Sequence, residues 1–490
     1  MLSRLYATVI FAALTFIIIL NPAYGDSNDL PDIGSSALST ISYEKEKNLG
    51  DILMRQTRAR LPVNYDPLIE DYINTLGNKL VTFADDIHFP FNFFTVRDKS
   101  INAFAFFGGN VAVNTGLIAL ADNESELASV VAHEIAHVTQ RHLSRRFEAQ
   151  NRNTPMTLAG VLGGILLAVL SPEAGMAAMM ASQAGSIQSG INFTRANEKE
   201  ADRIGIRILA LAGFDPHGAP AFFDKLAARF RFSSTPPQFL LTHPLPESRV
   251  ADSRIRAQRY LPVNRPPSLN FHLTKARVQV RYQMSPKSAI LFFEKQLKNK
   301  TYSIKAAAQY GLALAHSDNK DFGLAQAMIS TLRARSPSNL FYIDTQVDIY
   351  NGQKKHQKAL DLLAKLYKLK PNNPIITLNY ASTAVEAKKP ELAIELLNSY
   401  KISHGQNYIV SDLMISAYEQ QENQPKYHEM RAELFSLLSL YEQSVEELNL
   451  SIDKLRNADD KDAEKKRLEQ KRLVALRKQY KKRLEQIKKM

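Results

Sequence analysis

Hydrophobic and polar positions along this chain change their period twice. Residues 5–20 form an unbroken apolar run behind one cation, Arg4, and ahead of the small residues Ala23 and Gly25. That order predicts a secretory leader over residues 1–25, cleaved after Gly25. From there to about Tyr260, short strand-like runs alternate with amphipathic helices. Residues 91–96 (FNFFTV) and 110–114 (NVAVN) read as strands, the second with Gly108 and Gly109 before it and Gly116 after it. Strand 111–114 is expected at a sheet edge. Residues 122–148 read as one long helix, with Asn123 as its cap and Glu126 three residues on. The apolar stretch 156–170 (MTLAGVLGGILLAVL) is shorter than the ~20 residues a membrane span needs. With the Ala-, Met-, Ser- and Gly-rich residues 174–190, it predicts a buried helical hairpin, with a lid over a nearby site or a membrane-touching element as the alternative.

The chain turns at NRPP, residues 264–267, and only helical periodicity follows. Ala325, Ala359 and Ala393 recur at a spacing of 34 inside similar helices, and Pro337 and Pro371 repeat at the same spacing. This resembles the tetratricopeptide repeat, in which a small residue lets two helices pack closely and a proline ends the pair. Two or three repeats are expected within residues 306–405. The expected division is a leader at 1–25, a mixed domain at 26–265, repeats at 266–457 and a basic helix at 458–490.

Composition narrows the chemistry. The 490 residues are 45% hydrophobic and 23% charged, as in an ordinary globular protein, and include no cysteine. Disulfides, thiolate metal sites, iron–sulfur clusters and cysteine nucleophiles are thereby excluded, so any metal must be held by His, Asp or Glu. Secretion without cysteine suits a bacterial periplasm better than a disulfide-rich extracellular setting. The formal charge is +13, of which +9 falls in residues 461–490. Nucleic-acid binding is not expected, since secretion removes the target, and membrane contact should be at most peripheral.

The candidate chemistry lies in VVAHEIAHVTQRH. On a helix, His133 and His137 are four residues apart and about 40° apart in azimuth, so both imidazoles reach one Zn²⁺, and Glu134 sits where it can take a proton from water. His142 falls about 180° from His133 on such a helix, which predicts a surface or second-site histidine. The longer metzincin pattern would need glycine at 140 and histidine at 143, where this chain has Gln140 and Leu143. A third ligand must come from farther along, and FTRANEKEADRIG offers Glu198, with Glu200 as a competing ligand. Asp202, four residues beyond Glu198, is placed to orient a ligand histidine through its second ring nitrogen.

HEIAH followed by EKEAD resembles the gluzincin metallopeptidases that include the CAAX prenyl endopeptidases and the HtpX heat-shock protease. The leader, the catalytic segment, INAFAFFGGNVAVNTGLI, THPLPESR and the terminal repeats together are closer to periplasmic members of that group that act in β-barrel assembly. The resemblance implies an α+β fold, a mainly helical gluzincin metallopeptidase domain followed by an all-α tetratricopeptide-repeat solenoid. It implies one zinc ion per chain held by His133, His137 and Glu198, with Glu134 as general base and Asp202 in the catalytic machinery. His243, in THPLPESR with Arg249, is similar to a histidine that can occupy the open zinc position and hold the enzyme latent. The implied substrates are misfolded or misassembled outer-membrane proteins, with the repeats docking to the β-barrel assembly machinery; the edge-like strand 111–114 would receive such a substrate in extended form by strand addition. The alternative is a non-proteolytic periplasmic chaperone or adaptor acting through its repeats.

Overall fold

The computed structural model describes residues 41–153, 184–231, 238–245, 247–457 and 463–488. The leader, the apolar stretch 156–170 and residues 174–183 of the segment after it lie outside the described residues.

Helix α1 (Tyr43–Arg60) and helix α2 (Pro67–Val81) flank a short strand β1 (Val63–Asn64). Strands β2 (Asn92–Val96), β3 (Ala103–Phe106) and β4 (Asn110–Asn114) complete a four-stranded mixed sheet in the order β1-β2-β4-β3. The two strands read from sequence are therefore neighbours, paired in parallel with Phe93 opposite Val111. The expectation that residues 111–114 form an edge is overturned. Gly108 and Gly109, both at positive φ, fold β3 back onto β4 in antiparallel register, so β4 is interior and all five of its residues are buried. Among the described residues the edges of the sheet are β1 and β3.

A short helix α3 (Thr115–Leu120) leads to α4 (Glu124–Thr139), which begins at the expected cap: Asn123 accepts from the Glu126 amide at 3.0 Å. Apart from its first two residues and its last turn, α4 is buried on every side, as a helix at the centre of a core must be. The single helix expected over 122–148 is in fact two. After Gln140 the chain passes through Arg141 in the left-handed region (φ +52) and restarts as α5 (His142–Asn153). A left-handed non-glycine residue costs roughly 1–2 kcal/mol. Here Arg141 is buried, donates to Glu46 at 2.8 and 2.5 Å and to the Ile41 carbonyl at 2.6 Å, and covers the Tyr43 ring. That contact with α1 outweighs the local preference for an unbroken helix.

Helix α6 (Ala184–Leu211) lies against α4 at small residues; a Cβ on Gly205 would stand 3.1 Å from the His133 nitrogen. Helices α7 (Gly218–Phe230), α8 (Gln238–Thr242) and α9 (Glu247–Ala257) close this part of the molecule.

Beyond it every described element is helical. Helix α10 (Leu269–Val278) is apolar on two faces: Phe271 and Val278 join the core around α4, while Leu273 and Ala276 join the first core of the following helices. After α11 (Pro286–Lys298) come four helix pairs. They are α12 (Lys305–Asp318) with α13 (Phe322–Arg335), α14 (Leu340–Gly352) with α15 (His356–Leu369), α16 (Pro374–Glu386) with α17 (Pro390–His404), and α18 (Tyr408–Gln420) with α19 (Gln424–Leu437). The alanines at the 34-residue spacing are fully buried between paired helices. The turns keep the same period, with Lys320, Lys354, Lys388 and Glu422 all left-handed. Asn339, Asn373 and Asn407 cap the first helices of successive pairs. The repeat thus runs one pair beyond the alanine pattern. Helix α20 (Tyr441–Asn457) follows, and the basic helix α21 (Ala463–Lys488) packs on it through Leu473 and Tyr480, with Lys466 donating to the Arg456 carbonyl of α20. No described helix is long and apolar enough to cross a membrane.

Candidate metal centre

Helix α4 supplies His133, Glu134 and His137, α6 supplies Glu198 and Asp202, and the residue after α8 is His243. His133, His137, Glu198 and His243 each offer a ligand atom, and these atoms all lie within 4.8 Å of one another. His133 Nε2 is 3.0 Å from His137 Nε2, 3.3 Å from Glu198 Oε2 and 3.4 Å from His243 Nδ1. His137 Nε2 is 3.4 Å from Glu198 Oε1, and His243 Nδ1 is 3.1 Å from both Glu198 oxygens. Four donors around an ion at 2.0–2.1 Å stand about 3.3 Å from one another in a tetrahedron, so the spacing suits a small divalent cation. The donor set, three nitrogens and one carboxylate, is also that of a borderline-soft ion such as zinc.

Glu134 points into the same space. It is 1% exposed, and its Oε1 accepts no hydrogen bond although it is buried. The Ala105 amide of β3 donates to the carboxylate, so the β3 edge of the sheet borders the cluster. His243 Nε2 stands 3.4 Å from Oε1. Burial pushes the Glu134 carboxyl above the usual carboxylate range, against the pull of His243 and His133. Burial likewise holds His137 well below an ordinary imidazole. Glu198 is held well below the carboxylate range because His243 and His137 outweigh its burial. His133 is pushed up to about 10: burial opposes its charge, but Asp202 and Glu198 prevail.

Asp202 sits behind His133, with Oδ1 3.1 Å from Nδ1. Its oxygens accept from Arg249 at 2.7 and 2.8 Å. Arg249, on α9, is 1% exposed and also reaches Glu198 at 2.9 Å and the Pro244 carbonyl at 2.7 Å. One guanidinium therefore pairs two buried carboxylates and holds the backbone next to His243.

Glu200, the competing ligand of the sequence analysis, faces away from the cluster. It accepts from His142 at 3.0 Å and from Arg145 at 2.8 Å. The expectation of a surface position for His142 is corrected. The break at Arg141 carries His142 back over α4, where it is buried with Nδ1 2.9 Å from His137 Nδ1. An unbroken helix would have sent it to the opposite side. The signal that marks it in sequence is its place five residues after His137; its contact depends on Glu46, nearly a hundred residues away.

A buried HExxH helix, a carboxylate from a second helix within reach of the same ion and a bordering sheet edge define a metallopeptidase, here joined to stacked helical repeats. Peptidase family M48 matches residues 67–257, and the tetratricopeptide repeat matches residues 350–409. Over 443 residues the chain is 43% identical to the β-barrel assembly-enhancing protease of Escherichia coli O157:H7, covering 90% of each. It is 42% identical over 416 residues to the protein of the same name from Yersinia pestis, covering 85% of this chain and 86% of that one. The metalloprotease LoiP of Escherichia coli K12 is 28% identical over 214 residues, which is 41% of this chain and 78% of LoiP. The chain belongs to the β-barrel assembly-enhancing proteases of peptidase family M48.

Proposed function

We propose that this chain is a periplasmic zinc-dependent endopeptidase that degrades misfolded or misassembled outer-membrane β-barrel proteins and so supports outer-membrane assembly. The observation that carries the reading is the buried, otherwise unpaired Glu134 Oε1 facing a cluster of three imidazoles and one carboxylate. A structural metal site has no use for such a base. His133, His137 and Glu198 would hold one zinc ion per chain. Zinc supplies Lewis acidity there, polarising a carbonyl and acidifying water to a pKa of about 7.

The chain's own residues account for the rest. Glu134, in reach of the attacking water, takes its proton and returns it to the leaving amine. The Ala105 amide of β3 favours the charged form of that carboxylate. The edge of β3, which no other described strand covers and which borders Glu134, would take an extended peptide by strand addition, which recognises backbone and favours unfolded segments over particular side chains. Asp202, whose Oδ1 stands 3.1 Å from His133 Nδ1, is placed to fix the tautomer of that ring.

His243 fits the role of a latch. Its Nδ1 fills the fourth corner of the ligand set, where a catalytic site keeps room for water and substrate. Activation then requires His243 to leave. The division of labour falls near residue 265: the peptidase cuts, and the repeats dock the enzyme to the β-barrel assembly machinery.

The test is zinc content and proteolysis of an unfolded β-barrel protein by the wild type, Glu134→Gln and His243→Ala. Glu134→Gln is expected to keep its zinc and lose roughly 10²–10⁴-fold in rate, and His243→Ala to raise the basal rate. Full proteolysis by Glu134→Gln would remove the general base from the reading. Full complementation of cells by a proteolytically dead Glu134→Gln would favour the adaptor.

A further inference from the structure

We infer that His142 is a positioning residue for His137, the start of a directed hydrogen-bond chain that runs from the metal cluster to Glu200 and Arg145. The inference rests on the metal-binding reading of His137 given above.

Direction follows from proton bookkeeping. A histidine that offers Nε2 to a cation carries its proton on Nδ1 and must donate it. The atom waiting 2.9 Å away is His142 Nδ1, which accepts only if His142 carries its own proton on Nε2. That nitrogen lies 3.0 Å from Glu200 Oε2, an acceptor. Arg145 then donates to the same carboxylate at 2.8 Å. Every donor meets an acceptor, and the chain has only one consistent direction. The rings of His137 and His142 meet edge to face, with centroids 4.8 Å apart, so the contact is a hydrogen bond and not a stack.

The two metal histidines therefore have different partners, a carboxylate for His133 and a neutral imidazole for His137. Charge explains the difference. Glu134, Glu198 and Asp202 bring three buried carboxylates, which Arg249 and a divalent ion would balance. A fourth carboxylate directly behind His137 would leave net negative charge in a desolvated site. His142 extends the contact instead to Glu200, whose side chain is 29% exposed and already paired with Arg145. The break at Arg141, pinned by Glu46, is what makes this reach possible.

The experiment uses the full chain and Zn²⁺ alone, with affinity measured by chelator competition and the visible spectrum recorded after Co²⁺ substitution. His142→Ala is expected to weaken zinc binding about 10- to 100-fold and to shift the cobalt bands. His142→Asn, whose Oδ1 can take the His137 proton, should recover most of both, and Glu200→Gln should lose less than His142→Ala. A role in packing alone predicts that His142→Asn binds zinc as poorly as His142→Ala, and that result would overturn the inference, as would wild-type affinity in His142→Ala. If His142→Ala does not fold, the comparison of His142→Asn and Glu200→Gln with the wild type decides: wild-type affinity and spectrum in Glu200→Gln would overturn the chain. A wild type that takes up no zinc would sink the metal reading itself, which separates the two failures.

Discussion

At the scale of single residues, the centre is a set of buried charges that are tolerable only together. Asp202 is 5% exposed and carries two contacts of different purpose, His133 in front and Arg249 behind. Its carboxyl is held below the usual range because bonds from His133 and Arg249 overcome burial. Asp202→Asn keeps the shape but puts an amide where an anion was. One of its two faces must then present N–H₂ to a donor, either His133 Nδ1–H or the guanidinium. Zinc affinity should fall by about 10- to 100-fold, read by chelator competition. An unchanged affinity would show that Asp202 serves Arg249 alone. The pairing of His133 and His137 was legible because helical spacing of four residues survives any tertiary context, whereas Glu198 was set apart from Glu200 only by the resemblance to the gluzincins. Arg249 was visible only as part of THPLPESR. Its function as the shared counter-ion of Asp202 and Glu198 required α6 and α9 to be placed side by side.

At the scale of elements, what is local was readable and what is long-range was not. The 34-residue period of small residues sets a helix-pair repeat, and the structure carries it into features the alanines do not announce, the left-handed turns at 320, 354, 388 and 422. By contrast, the end of α4 is decided by Glu46 on α1, and the interior position of β4 is decided by β3, whose AFAF sequence alternates too briefly to register as a strand. Closeness within a helix pair can be tested at Ala359, which is fully buried between α14, α15 and α16. Ala359→Leu adds three carbons where no space exists and should destabilise the protein by about 1–3 kcal/mol. Leu369→Ala, at a position 77% exposed on the same helix, should change stability by no more than about 0.5 kcal/mol. Urea unfolding of the two variants checks both values, and equal effects would refute the close packing.

At the scale of the whole molecule, the peptidase and the repeats are joined through more than a linker. Helix α10 shares its two faces between their cores. Tyr65 stacks on Tyr408 with centroids 4.5 Å apart, and Arg55 donates to the Ser436 carbonyl at 2.7 Å, so the fourth repeat pair also touches the peptidase. At the centre of the junction Arg277, fully buried, donates to Asp66 at 2.6 Å and to Asp344 at 2.7 Å. The two acids are not equivalent. Burial works against the charge on Asp66, but Arg277 and Arg281 outweigh it and hold its carboxyl below the usual range. Burial pushes Asp344 up despite the same guanidinium, with Asp348 adding to the rise. Asp66 is thus the firmer counter-ion; in Asp66→Asn the side-chain oxygen can still cap α2 through the Leu68 amide, but its NH2 then faces the Arg277 guanidinium, so charge and acceptor are lost together. The variant should lose about 3 kcal/mol at pH 7. A folded-state pKa below the unfolded one gives stability that is present above about pH 4 and is lost as pH falls through the depressed value. The gap between wild type and Asp66→Asn should therefore close as the pH drops below about 4. Both chains have the same metal site, so acid release of a metal cancels in the difference. Urea midpoints at pH 7 and in that acid range measure the gap; a gap that stays constant would mean that the ionisation of Asp66 contributes nothing to fastening the repeats to the peptidase.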